Sequence, residues 1–218
     1  MNRPDDQASG AARTPDLKTL VFASWNQGKL GEIQVLLADL GIACRSLADC
    51  PALTEIVEDG DSFLANATKK ARDTAAQLGE TVLADDSGLE VDALGGAPGI
   101  YSARYAGPNA DDNKNIAKLL SEMKGIPAGK RSAAFRCALV LCDPDGTYVA
   151  FEGSWPGEIA MEAQGDNGFG YDPVFYLADR GMTAAQLPAE VKNRLSHRAQ
   201  AIEQLKLYLM RNAVSHGA

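Results

Sequence analysis

The sequence predicts an α/β protein. Residues 18–41 run as an apolar stretch, KTLVFAS, then a Gly-containing loop, WNQGK, then a helix-period segment, KLGEIQVLLADLG. Short apolar runs and helix-period segments go on alternating to the end of the chain. With 218 residues, 45% hydrophobic and 23% charged, the composition is that of a packed globular chain rather than a disordered one.

Each element follows from its residues. In the first helix Leu30, Ile33, Leu37 and Leu40 share a stripe, and Gly41 stops it. IACRSL (42–47) is a second strand candidate. DSFLANATKKARDTAAQLG (61–79) is a strong helix, rich in Ala, with Leu64, Ala67, Ala71, Ala75 and Leu78 as its apolar face and Gly79 at its end. TVLAD reads as a short buried strand and GLEVDAL as another. GGAPGIYSARYAGP is too rich in Gly for regular structure and reads as a shaped loop. NADDNKNIAKLLSEMKG is a helix with Ile116, Leu119, Leu120 and Met123 on one side. KRSAAFRCALVLCD, PDG and TYVAFEGS form a hairpin that EIAMEA extends. FGYDPVFYL brings a loop and a strand, and Thr183 with Gln186 makes a capping box. SHRAQAIEQLKLYLMRNA closes the chain as an amphipathic helix with Ile202, Leu205 and Leu209 inward. No repeat or linker divides residues 17–213, so they read as one domain. Residues 1–16, polar and without an apolar core, read as a mobile tail rather than a secretory signal.

Composition excludes several functions. The chain carries 21 Lys+Arg against 29 Asp+Glu, a net charge of −8. A dedicated nucleic-acid binder has a basic surplus, so no nucleic-acid polymer is expected as a partner. No apolar stretch reaches the roughly 18 residues that would span a membrane. Four cysteines, Cys44, Cys50, Cys137 and Cys142, show no C-x-x-C spacing and no clustered His, which argues against zinc. Cys137 and Cys142, five apart on one strand, point to opposite faces. Reduced cysteines used as small apolar residues suit a cytoplasmic protein.

Four segments invite a chemical reading. Ser24, Trp25, Asn26, Gln27, Gly28 and Lys29 lie between a strand's carboxyl end and a helix N-terminus, a place suited to phosphate. The spacing is not that of a Walker A loop, and alone the segment also reads as a turn with a solvated lysine. Asp85-Asp86-Ser87-Gly88 sets two carboxylates at the end of an apolar strand. Only one of them can face a given site, and Mg²⁺ is a natural partner for such oxygen ligands; an Asx-type turn is the other reading. In Gly168-Phe169-Gly170-Tyr171-Asp172-Pro173 the glycines let backbone approach a flat ligand, on which Phe169 can stack while Asp172 accepts from a purine edge; an aromatic-anchored turn fits equally. Lys192 and Ser196-His197-Arg198 complete the set. Ser196 reads as an N-cap, and a basic pair in a first helical turn asks for an anionic or polar partner. His197 also reads as a satisfied structural histidine. No G-x-S-x-G elbow or G-x-G-x-x-G fingerprint is present.

Taken together and in this order, the four segments resemble the Ham1/inosine triphosphatase family over about residues 19–209. ADDSGLEVDALGGAPGIYSARYAG (84–107) is the most specific stretch, with GSWPG (153–157), GFGYDP (168–173) and SHR (196–198) as further signatures. The resemblance implies an elongated mixed β-sheet with flanking helices and two lobes around a central cleft. It implies homodimers and Mg²⁺-dependent hydrolysis of ITP, dITP and XTP to the monophosphate and pyrophosphate, which keeps these bases out of DNA and RNA. By that resemblance Ser24 to Lys29 would hold the phosphates and Ser87 would touch substrate. Asp86 would be the catalytic carboxylate and a metal ligand. Phe169, Gly170, Tyr171 and Asp172 would hold the base, with Lys192, His197 and Arg198 completing the pocket. Lys69 is placed beside the phosphates because its helix leads to the Asp pair; a solvated lysine is the other reading. The family's second metal carboxylate, counted back from Gly60, falls on Val57. Glu58, one residue along, is favoured instead, with Glu55 close by; a metal held by Asp86, Asp85 and waters alone is the other reading. The similarly folded Maf group and a non-catalytic nucleotide sensor remain alternative readings.

Overall fold

The computed structural model describes residues 17–50, 53–54 and 56–214. The tail expected at residues 1–16 lies outside them, as does Glu55.

β1 (Thr19–Phe22), β2 (Ala43–Ser46), β3 (Val82–Val91), β4 (Ser132–Cys142), β5 (Tyr148–Ile159), β6 (Phe175–Leu177) and β7 (Met182–Thr183) form one sheet in the order β2-β1-β3-β4-β5-β6-β7. β1 is parallel to both β2 and β3, and every later pairing is antiparallel. The sheet is therefore mixed, as expected. Its middle strands have 10, 11 and 12 residues, which at about 3.3 Å per residue makes them roughly 33–40 Å long. β1 pairs only with Val82 and Leu83 at one end of β3. β6 pairs only with Glu158 and Ile159 at the far end of β5. The short strands thus build two lobes on one long hairpin.

The core divides in the same way. On one face of the first lobe, α1 (Gln27–Leu37) and α5 (His197–Val214) bury Leu30, Ile33, Leu37, Ile202 and Leu205 against Leu20, Phe22 and Leu83. On the opposite face α2 (Phe63–Leu78) buries Ala67, Ala71 and Ala75 against Val21, Val82 and Val140. The second lobe packs Ile116, Leu119 and Met123 around Phe135, Trp155 and Phe175. Ile116 and Leu119 come from α3 (Asp112–Glu122), and Met123 caps its C-terminal end.

The structure changes some expectations. TVLAD and the first part of GLEVDAL are one continuous strand, because β4 pairs without a break from Val82 to Val91, and Asp92–Leu94 turn off as a 3-10 helix. α4 (Ala189–Leu195) was not expected. Leu64 is 38% exposed rather than inward. Thr183 and Gln186 do make a capping box. Cys137 and Cys142 fall in cores on opposite faces, and all four cysteines are free. No helix among the described residues is long and apolar enough to cross a membrane.

Candidate active site

β1 is the topological switch of the sheet. The chain leaves it through α1 to reach β2 on one side, and β3 lies on its other side with α2 on the opposite face. A crevice opens where such connections diverge, at the strands' carboxyl ends. Beyond Leu83, β3 has no β1 partner. Asp85, Asp86 and Ser87 therefore face the loop Ser24–Lys29 across this gap. Asn26 caps α1 by accepting from Lys29 N at 3.0 Å, and Ser24 Oγ accepts from Asn26 N.

Two adjoining cavities occupy the gap and share Asn26, Lys29, Ser87 and Ala103. The first, of about 780 Å³, adds Ser24, Trp25, Glu58, Lys70, Asp86 and Arg104. The second, of about 190 Å³, adds Phe169, Gly170, Tyr171, Asp172, His197 and Arg198, with Lys192 beside them. The cleft thus has a carboxylate end and an aromatic end joined by the α1 loop.

Asp85 and Asp86 point to opposite faces, as strand alternation requires. Asp85 is fully buried. Its Oδ1 pairs with Lys29 Nζ at 2.5 Å, and its Oδ2 accepts from Arg198 Nε at 3.0 Å and Cys137 Sγ at 3.2 Å. Burial alone would raise its pKa. Arg198 and Lys29 overcome that and hold it well below the usual carboxylate range. The network continues through Glu32, which pairs with Arg198 at 2.5 Å and with Lys192 at 2.8 Å. Lys192 also pairs with Asp172. The anionic partner expected for the basic start of α5 is thus supplied inside the protein. Ser196 caps that helix by accepting from Ala199 N.

Asp86 faces α2. Its Oδ2 accepts from Asn66 Nδ2 at 3.0 Å, while Asn66 Oδ1 accepts from Gly60 N at 2.8 Å. Asn66 therefore ties the Glu58 loop to the Asp86 carboxylate. Burial raises the Asp86 pKa; Lys29 and Lys70 oppose this, and Glu58 adds to it.

The aromatic end is set by close contacts. A Cβ on Gly28 would lie 2.7 Å from Phe169 Cδ1, so the missing side chain lets the ring rest on α1. Lys192 Nζ lies 4.7 Å from that ring's centroid. A Cβ on Gly153 would meet the His197 carbonyl at 1.9 Å, so the glycine of GSWPG seats α5 on β5. His197 stacks on Phe135 at 4.8 Å, and its buried Nδ1 has no partner. Burial, reinforced by Arg198, holds the imidazole neutral.

The sequence-derived residues fare unequally. Ser24, Asn26, Lys29, Glu58, Asp86, Ser87, Phe169 to Asp172, Lys192, His197 and Arg198 all line the cleft. Trp25 sits at its mouth, 63% exposed. Gln27 is exposed and lines neither cavity. Asp172 has one oxygen committed, since its Oδ2 accepts from Phe169 N and pairs with Lys192, which leaves Oδ1 for a purine edge. Lys69 is misplaced. It pairs with exposed Asp59 and lines a separate cavity with Thr68 and Arg72. One residue is about 100° on a helix, so Lys70 enters the cleft and pairs with Glu58. Glu32 and Asn66 were missed. Asn66, Lys70 and Thr74, spaced i, i+4, i+8, were a readable signal, a polar stripe on an Ala-rich helix.

A long mixed sheet with a switch-point cleft, carboxylate at one end and aromatic at the other, defines an α/β protein shaped for an elongated anionic ligand with a flat end group. The chain belongs to the Ham1 family, whose profile matches residues 20–208. It is 50% identical over 190 residues to the dITP/XTP pyrophosphatase of Shouchella clausii, covering 87% of this chain and 96% of that one. It is equally similar to the dITP/XTP pyrophosphatase of Geobacter sulfurreducens, with the same coverage. Among solved structures, a HAM1 protein from Coxiella burnetii matches with a TM-score of 0.81 at 44% identity, covering 88% of this chain and 98% of that one.

Proposed function

We propose that this protein hydrolyses ITP, dITP and XTP to the monophosphate and pyrophosphate, removing these bases from the pool that feeds DNA and RNA. The observation that carries the reading is the joined cleft. A triphosphate laid across Asn26, Lys29 and Ser87 puts its base at Phe169 and its phosphates between Asp86, Glu58 and Lys70. The names of the relatives agree with it.

The carboxylate end suits Mg²⁺. Its donors are oxygens, and burial together with the neighbouring Glu58 disfavours the charged Asp86 carboxyl, a cost that a cation would offset. Mg²⁺ habitually takes one or two carboxylates and completes its shell with substrate phosphates and water. Asp86 and Glu58 would hold it, and it would supply positive charge to the triphosphate.

The chain's own residues do the rest. Asn66 fixes the Asp86 carboxylate through Oδ2. The other oxygen orients the attacking water and accepts its proton as the water oxygen bonds the α-phosphorus, while the bond from that phosphorus to the α–β bridging oxygen breaks and pyrophosphate leaves with the electron pair. Lys29 and Lys70, though each is paired with a carboxylate, keep ammonium N–H donors for the phosphates. Phe169 stacks on the base. Lys192 and Arg198 present donors at the aromatic end, which suits a 6-oxo group. A 6-amino group would bring donor against donor and leave buried groups unpaired. We further propose a homodimer working in the cytoplasm; four free cysteines agree with a reducing compartment.

The test is product identity. With ITP and Mg²⁺ the protein should release pyrophosphate and IMP, and chelation of the metal should stop turnover. Release of orthophosphate would overturn the reading.

A further inference from the structure

The cations of the cleft are not equivalent. Lys29 is paired with Asp85, Lys70 with Glu58, Lys192 with Asp172 and Glu32, and Arg198 with Asp85 and Glu32. Arg104 differs. No carboxylate among the described residues pairs with it. Its contacts are the Glu58 carbonyl, reached by Nη2 at 3.4 Å, and the exposed Tyr101 ring, 5.2 Å from its guanidinium carbon. The first is a weak bond, and the second stays compatible with donors facing the cleft.

Its place along the cleft is defined. Ala103 lines both cavities, whereas Arg104 lines only the carboxylate one. A substrate with its base at Phe169 has its α-phosphate in the shared region. The β- and γ-phosphates then fall in the cavity that Arg104 lines with Glu58 and Lys70.

The segment carrying Arg104 is also fixed in advance. Ser102 Oγ accepts from Leu89 N at 2.9 Å and donates to the Gly99 carbonyl at 2.7 Å. Tyr171 OH donates to the Ser102 carbonyl at 2.8 Å. Asn115 accepts from Ala106 N at 2.8 Å and donates to the Ala103 carbonyl at 3.3 Å, bracketing Arg104 on both sides. These bonds fix the backbone from which the Arg104 side chain springs, and its planar fork matches two phosphate oxygens.

We propose that Arg104 binds the β- and γ-phosphates and stabilises the departing pyrophosphate. The proposal rests on the pyrophosphatase reading above. As water bonds the α-phosphorus, the bond from that atom to the bridging oxygen breaks and its electron pair stays with pyrophosphate. The negative charge that gathers there meets the one cleft cation, among the described residues, that no carboxylate neutralises.

The experiment compares inhibition of ITP hydrolysis by pyrophosphate and by IMP in wild type, Arg104→Ala and Arg104→Lys. Arg104→Ala should weaken pyrophosphate inhibition by about 10- to 100-fold, the range of lost charge-assisted bonds, with IMP inhibition nearly unchanged. Arg104→Lys should recover part of it, since the charge remains and the fork is lost. Calorimetric titration of pyrophosphate with Mg²⁺ should show the same order. Unchanged pyrophosphate affinity in Arg104→Ala overturns the proposal. So does equal weakening towards both products, in either variant, which would mark a structural role. A wild-type protein that releases no pyrophosphate from ITP defeats the underlying reading instead.

Discussion

Asn66→Leu probes the joint on which the carboxylate end depends. Leu keeps the branched outline, though it is bulkier, and removes both bonds that Asn66 makes, to Gly60 N at 2.8 Å and to Asp86 Oδ2 at 3.0 Å. Asn66 and Asp86 are both buried. Leaving a buried polar group unpaired costs about 1–3 kcal/mol, with the upper part of the range for a charged one. The two groups left unpaired are the part-buried Gly60 N–H, at the low end of that range, and the Asp86 carboxylate, at the high end, which together predict a stability loss of roughly 4 kcal/mol, large for one substitution yet within typical domain stability. The functional loss follows from position. A carboxylate freed by about 1 Å costs on the order of 100-fold in rate, and the Glu58 loop loses its tie at the same time. Urea melts give the stability term. Activity with ITP, measured where the melt shows the variant folded, gives kcat and KM separately. The loss should fall mainly on kcat and on the Mg²⁺ concentration needed, because the base end is untouched. A folded variant with nearly wild-type kcat and Mg²⁺ requirement would refute the reasoning.

The remaining predictions test the other parts of the cleft. Lys70→Ala should lower kcat/KM by about 100-fold, the scale of one lost charge-stabilising donor. Lys69→Ala should change it little, since Lys69 lies outside the cleft and its partner Asp59 is exposed. Equal losses would return Lys69 to the site. Gly28→Ala puts a Cβ within 2.7 Å of the Phe169 ring. It should raise KM for ITP by displacing the stacking surface, and an unchanged KM would remove Phe169 from base binding. His197 gives a pH signature. Its folded pKa is well below the ordinary value because burial and Arg198 disfavour the imidazolium. The unfolded chain binds a proton below about pH 6.5 that the native chain refuses, so native stability falls as pH drops through that value, by at most about 1.4 kcal/mol per unit. His197→Phe, which keeps a ring against Phe135, should lose less stability than wild type between about pH 7.5 and 5.5. Identical slopes in urea melts would show that His197 titrates normally.

Some of this protein could be read from the chain alone. Element type followed from periodicity: the Ala stripe of α2, the apolar run of β1 and the PDG hairpin are local patterns, and local backbone preference decides them. The alternation of side chains along β3 required Asp85 and Asp86 to part, and they do. The long signature of residues 84–107 pointed to a family without any coordinates. What the chain alone did not settle was depth and facing. Whether TVLAD and GLEVDAL are one strand depends on β4 pairing beside both. Lys69 and Lys70 are adjacent in sequence, and only the rotation of α2 against β3 puts one in the cleft and the other on the far surface. The partners of Lys29, Lys192 and Arg198 lie up to 166 positions away, so no motif names Glu32 as their counter-charge. Sequence determined which residue types were available and which elements would carry them. Tertiary packing alone decided which cations are already neutralised and which, like Arg104, still carry charge for a ligand, because that balance is set by distances between elements that the chain order does not contain.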